Sequence, residues 1–115
     1  MLGKPADPRD AARMLAQLSG RTHRVVSGVC LKSLRGRDSG VETTEVRFAP
    51  LSRPEIDWYV ASGEPMGKAG AYAVQGLGAR FIVSLAGSYS NVVGLPARLV
   101  YEMLLRAGFE RLARP

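Results

Sequence analysis

A chain of 115 residues fits one domain, and 46% hydrophobic with 23% charged residues is the balance of a folded globular protein, not a disordered one. No run of 18 apolar residues occurs, which excludes a membrane-spanning helix, and the stretch Met1–Pro8 lacks the apolar centre expected of a signal peptide. The net charge of +6 favours anionic partners, but the arginines are dispersed from Arg9 to Arg114 with no arginine–aromatic alternation, so neither nucleic acid nor membrane is an expected partner.

Asp7-Pro8 reads as a helix start, with Asp7 as N-cap and Pro8 in the first turn. Ala11, Met14, Leu15 and Leu18 follow at helical spacing, and Gly20 reads as the stop. Thr22 to Leu31 is rich in valine and threonine and predicts a strand; the single cysteine, Cys30, lies in it and is expected to be a buried apolar thiol. Leu34 to Gly40 reads as a turn. Val41 to Phe48 alternates, with Thr44, Val46 and Phe48 on one face and Thr43, Glu45 and Arg47 on the other, which predicts a half-buried strand paired antiparallel with the first.

Ser52-Arg53-Pro54-Glu55 is a capping box flanked by Leu51 and Ile56, and predicts a helix from Arg53 to about Ala61 with Ile56, Tyr59 and Val60 as its apolar face. A glycine-rich stretch, Gly63 to Gly76, comes next. Ala79 to Ala86 predicts a largely buried strand through Phe81, Val83 and Leu85. Ser88 to Asn91 reads as a polar loop. Pro96 opens a last helix with an apolar stripe of Leu99, Val100, Met103, Leu104 and Ala107, closed by Gly108, and residues 111–115 read as a frayed tail. The order of elements gives a mixed α/β or α+β arrangement without a Rossmann rhythm.

One histidine, His23, and one cysteine cannot build a structural zinc site. No Gly-x-Ser-x-Gly elbow or Ser/His/Asp set is present, which argues against acyl-transfer hydrolysis. The residues that could carry chemistry cluster around glycine. Lys4, between Gly3 and Pro5, is a point charge suited to a polyphosphate, although a solvated terminal lysine is the plainer reading. Lys68 sits between small residues that leave room for a ligand, without P-loop spacing. Glu64 could help hold a divalent ion or could serve a helix-end or turn contact. Gln75 carries an acceptor and two donors in one plane, which matches the N–H and carbonyl edge of uracil or thymine and, turned over, that of cytosine; satisfying loop backbone is the alternative.

Taken in order, Leu2-Gly3-Lys4-Pro5, Leu18-Ser19-Gly20-Arg21-Thr22-His23, Tyr59 to Pro65, Lys68 to Gly76 and Gly87 to Pro96 resemble the C-terminal part of Maf-family nucleotide pyrophosphatases over nearly the whole chain. The resemblance implies an α/β, inosine-triphosphatase-like fold and hydrolysis of nucleoside triphosphates to monophosphate and pyrophosphate with magnesium or manganese. It implies a phosphate contact for Lys4 and, for Gln75, membership of the branch preferring dTTP and UTP. It also places Lys68 and Glu64 near the cleft and leaves a homodimer open; a single cysteine without a disulfide partner fits the cytoplasm as its compartment. Gly67 stands where many members carry Asp.

Family members also carry an N-terminal strand, a Ser- and Arg-containing phosphate loop, and an Ala-Asp-Thr segment whose Asp is the proposed general base. These would precede Met1. The expectation is therefore a single Maf-like domain over 1–115 without that first segment, with no catalytic residue of its own and with impaired turnover. A non-catalytic nucleotide-binding remnant and a basic interaction protein are the competing readings.

Overall fold

The computed structural model describes residues 3–109, so the tail expected at 111–115 lies outside the described residues. Helix α1 (Pro8–Leu18) begins as its sequence requires: the Asp7 carboxylate accepts the Asp10 N–H at 2.7 Å and Pro8 occupies the first turn. It buries Ala11, Met14, Leu15 and Leu18, and Gly20 turns the chain away at φ +66. Strands β1 (Thr22–Ser33) and β2 (Gly36–Phe48) form a long hairpin, and β3 (Ile82–Ala86) adds antiparallel to β2, giving the order β1-β2-β3. The β2–β3 register pairs Glu45 with Ala86 and Val46 with Leu85, and it shifts between Arg47 and Phe48.

Helix α2 (Arg53–Ala61) carries the full capping box: Ser52 Oγ accepts from Glu55 N–H at 3.2 Å, and Glu55 accepts from Ser52 N–H at 2.9 Å. The short helix α3 (Tyr89–Val93) and α4 (Ala97–Arg106) complete the described chain.

These elements divide into two compact units. One comprises residues up to Arg24 together with Glu45–Ala86; the other comprises Val25–Thr44 together with residues from Gly87 onward. In the first, α1 packs on α2 and on a 3-10 turn at Ala69–Ala71, and the core gathers Met14, Leu15, Phe48, Ile56, Tyr59 and Phe81. In the second, Met103 of α4 and Asn91 of α3 are buried. Asn91 Nδ2 donates toward Val25 O, Glu42 O and Thr44 Oγ1 at 3.0, 3.2 and 3.1 Å, tying α3 to both strands of the hairpin.

Four expectations are corrected. The turn at Leu34–Gly40 shrinks to Leu34 and Arg35, because Gly36 at φ +114 completes the reversal and frees 36–40 to extend. Gly40 serves packing instead: a Cβ there would lie 2.9 Å from Leu99 Cδ1. Cys30 is exposed, since the period of two sets it on the face opposite Val25, Val29 and Leu31. The strand expected from Ala79 is shorter and less buried: Leu77–Phe81 is a 3-10 turn that buries Phe81, and Val83, on a sheet-edge strand, is 60% exposed. Ser88–Asn91 is not simply a loop, because Ser88 Oγ accepts from Asn91 N–H at 3.2 Å and caps α3. By contrast, β2 buries Thr44, Val46 and Phe48 as its alternation predicts.

Candidate functional site

The glycine-rich stretch is organised backbone. Gly63, Gly67 and Gly70 adopt φ of +82, +80 and +77, values that L side chains rarely tolerate. Ala71 joins them at φ +64 although it is not glycine, a strained conformation in a fully buried residue. The Gly70 N–H donates to Gly3 O at 3.1 Å, which ties the Lys4 segment to this stretch. Lys4, Lys68 and Gln75 all have exposed side chains. Neither the Lys4 ammonium nor the Gln75 amide makes a hydrogen bond among the described residues.

Glu64 is differently placed. Its Oε1 accepts the Leu77 N–H at 2.8 Å; its Oε2 accepts the Gly78 N–H at 2.9 Å and the Tyr59 hydroxyl. Tyr59, fully buried on α2 with its ring edge-on to Phe81, accepts in turn from Ala73 N–H at 3.0 Å. Burial alone would raise the Glu64 pKa. The hydrogen bonds from Tyr59, Leu77 and Gly78, with the charge of Lys68, outweigh it and hold the carboxyl below its ordinary value. The Tyr59 hydroxyl is shifted upward by burial and by its bond to Glu64.

A divalent cation was expected near Glu64. Both carboxylate oxygens are already engaged, and among the described residues no group of three His, Cys, Asp or Glu could hold a metal ion. These residues do not by themselves fit a cation, which would demand several oxygen ligands.

Beside this stretch, His23 Nε2 lies 2.7 Å from the Tyr72 hydroxyl, and His23, Phe48 and Tyr72 pack edge to face with centroids 4.9–5.4 Å apart. His23 Nδ1 is buried without a partner among the described residues. Burial lowers the His23 pKa from 6.5 and pushes the Tyr72 hydroxyl up to about 12. The unfolded chain therefore binds the imidazole proton more readily than the native one. Stability contributed by neutral His23 is fully present above pH 6.5 and is lost as the pH falls from there through the lowered native value. Urea midpoints measured between pH 7.5 and 5 are expected to fall, and the slope is expected to flatten in His23→Phe. An equal slope in that variant would mean that another group is responsible.

The geometry brings the Lys4 segment, Lys68, Glu64 and Gln75 into one compact unit. Residue-by-residue reading missed Tyr59 as a polar participant. The signal was present: a tyrosine on the buried face of a helix must find a partner for its hydroxyl, and Glu64 follows five residues later.

A family model described as Maf-like protein matches residues 1–107. The chain is 57% identical over 113 residues to a dTTP/UTP pyrophosphatase of Anaeromyxobacter sp. (strain Fw109-5), covering 94% of this chain and 55% of that protein. It is 54% identical over 111 residues to a dTTP/UTP pyrophosphatase of Symbiobacterium thermophilum, with 95% and 56% covered. A dTTP/UTP pyrophosphatase of Cupriavidus metallidurans is 51% identical over 108 residues, with 94% and 54% covered. The chain spans about half the length of the curated relatives it matches.

Proposed function

The chain belongs to the Maf-like protein family, and from that premise we propose that it carries the base-reading and phosphate-holding part of a nucleoside triphosphate pyrophosphatase acting on dTTP and UTP. The observation that carries this reading is the Gly70–Gly3 hydrogen bond, which anchors the Lys4 segment to the stretch bearing Lys68 and Gln75 while leaving the Lys4 and Gln75 side chains exposed. The names of the relatives support the substrate class.

In this reading Lys4 and Lys68 offset the charge of the triphosphate as point charges. The Gln75 carbonyl accepts the N3–H of uracil or thymine, and its NH2 donates to O4. Water forms a bond to the α-phosphorus and gives up a proton to solvent, the bond from that phosphorus to the bridging oxygen breaks, and pyrophosphate leaves with the electron pair. Magnesium or manganese would supply charge neutralisation at the phosphates when bound. The whole of 1–115 acting as one Maf-like domain, in the cytoplasm and with a homodimer as its assembly, belongs to the same proposal; no helix among the described residues is long and apolar enough to cross a membrane.

Isothermal titration of the chain with UTP, dTTP, ATP and inorganic tripolyphosphate tests the reading, with pyrophosphate release followed in parallel. UTP and dTTP are expected to bind more tightly than ATP. Lys4→Ala should weaken UTP and tripolyphosphate alike, by about tenfold. Gln75→Ala should weaken UTP by a similar factor, about tenfold, and leave tripolyphosphate unchanged. Binding of ATP as tight as UTP, or no UTP binding at millimolar concentration, would overturn it.

A further inference from the structure

We propose that Tyr59 and Glu64 form a two-residue clamp that sets the Ala73–Gly78 loop and so aims Gln75, making Glu64 a positioning residue for base recognition rather than a cation ligand. This inference rests on the pyrimidine reading above for its functional half and on geometry for its structural half.

Two side chains supply three hydrogen bonds to the loop backbone, and the bonds bracket Gln75. Ala73 N–H donates to the Tyr59 hydroxyl on one side; Leu77 and Gly78 N–H donate to the two Glu64 oxygens on the other. The Tyr59 hydroxyl donates to Glu64, joining the two halves. Apart from those within the 3-10 turn at Leu77–Phe81, the loop's own backbone bonds are Gly76 N–H to Ala73 O at 3.3 Å and Ala79 N–H to Gly76 O at 3.1 Å. Arg80 adds an exposed Nε bond to Leu77 O at 3.0 Å. The clamp therefore fixes the loop at both ends, at Ala73 and at Leu77–Gly78.

The glycines around Gln75 fit this arrangement. A Cβ on Gly76 would lie 2.7 Å from Glu64 Cδ and collide with the carboxylate oxygens. A Cβ on Gly78 would lie 2.6 Å from the Tyr59 hydroxyl and 2.8 Å from Ala73 O. Both are absent side chains that let the clamp approach the backbone. Gln75 has no anchor of its own, because its exposed amide makes no hydrogen bond among the described residues. Its direction follows from the backbone on either side.

A carboxylate serving as a cation ligand keeps lone pairs for the ion. Here a cation at Glu64 would compete with the Tyr59 hydroxyl and two backbone donors, and breaking those bonds would release the loop. With three bonds already accepted by its two oxygens, Glu64 is placed to hold backbone rather than to ligate a cation.

The test combines amide hydrogen exchange by NMR with titration of UTP, inorganic tripolyphosphate and magnesium, on the full chain and on Tyr59→Phe, Glu64→Gln and Glu64→Ala. In Tyr59→Phe, protection should fall at Ala73. In Glu64→Gln, where an NH2 replaces one acceptor, it should fall at Leu77 or Gly78; in Glu64→Ala it should fall at both. Amides of β3 that retain their protection show that each variant is folded. UTP affinity should drop by about tenfold in all three variants while tripolyphosphate affinity stays within about twofold, the signature of a misaimed base reader beside an intact phosphate site.

Unchanged exchange at Ala73, Leu77 and Gly78 would overturn the clamp. So would magnesium alone binding the wild-type chain, losing affinity in Glu64→Ala, and leaving those three amides unaffected. Parallel loss of UTP and tripolyphosphate would overturn the positioning role. If the wild-type chain binds no UTP, the pyrimidine reading fails on its own, and the amide exchange still decides the clamp.

Discussion

Phe48→Ala is expected to destabilise the chain by about 3–5 kcal/mol. Phe48 is 1% exposed and closes β2 in the core of the first unit, with its ring edge-on to His23 at 5.4 Å and to Tyr72 at 4.9 Å. Truncation removes the transfer free energy of the ring and leaves a cavity between two aromatic groups that are held by their own hydrogen bond. The backbone bond from Phe48 N–H to Arg21 O at 2.9 Å keeps the strand from closing the gap. A domain of ordinary stability has only about 5–15 kcal/mol in hand, so the variant should be near its unfolding threshold. Urea denaturation followed by far-UV circular dichroism measures it. A midpoint shift worth less than about 1 kcal/mol would mean that the aromatic trio is loosely packed. Phe48→Leu, which refills most of the volume, should recover more than half of the loss.

Asn91→Ala is expected to cost about 2–3 kcal/mol, in the second unit. Asn91 is 1% exposed, and its amide nitrogen faces three acceptors: Val25 O, Glu42 O and Thr44 Oγ1. Thr44 Oγ1 also donates to Ser88 O at 3.0 Å and accepts from Ser88 N–H at 3.1 Å, so the amide is one member of a connected network. Removing it strips a donor from part-buried carbonyls and from buried Thr44; the loss of the unpartnered Oδ1 offsets part of that cost. Asn91→Asp provides the discriminating comparison. A carboxylate there would present acceptors to three acceptors and bury a charge, so it should be more damaging than alanine at pH 7 and less so at pH 4. If both substitutions shifted the urea midpoint by under about 0.5 kcal/mol, the amide would not be a tie between helix and hairpin.

The two substitutions probe links of different kinds. Phe48 was legible as a core residue because a strand's period of two can be read from its neighbours Thr44 and Val46. Asn91 carried no such sign. Its partners lie 66, 49 and 47 residues away, and a polar Ser-Tyr-Ser-Asn run reads equally well as a turn. The same difference separates the candidate site residues. Lys4 and Gln75 could be singled out from their glycine-flanked settings, but whether their segments met depended on the Gly70–Gly3 bond. Glu64 could be read as a ligand or as a turn contact, and only the placement of Tyr59, Leu77 and Gly78 shows what its oxygens touch.

Sequence by itself determined the features whose causes are local. The Asp7 cap and Pro8 start of α1, the Ser52–Glu55 box of α2, the buried faces of both helices and the inward set of β2 all follow from residues within one or two turns of one another. Tertiary structure alone decided the length of the hairpin past Gly36, the clamp on the Gln75 loop and the burial of Asn91. These depend on which distant donors and acceptors are brought within about 3 Å, and hydrogen-bond geometry at that range is set by packing, not by spacing along the chain.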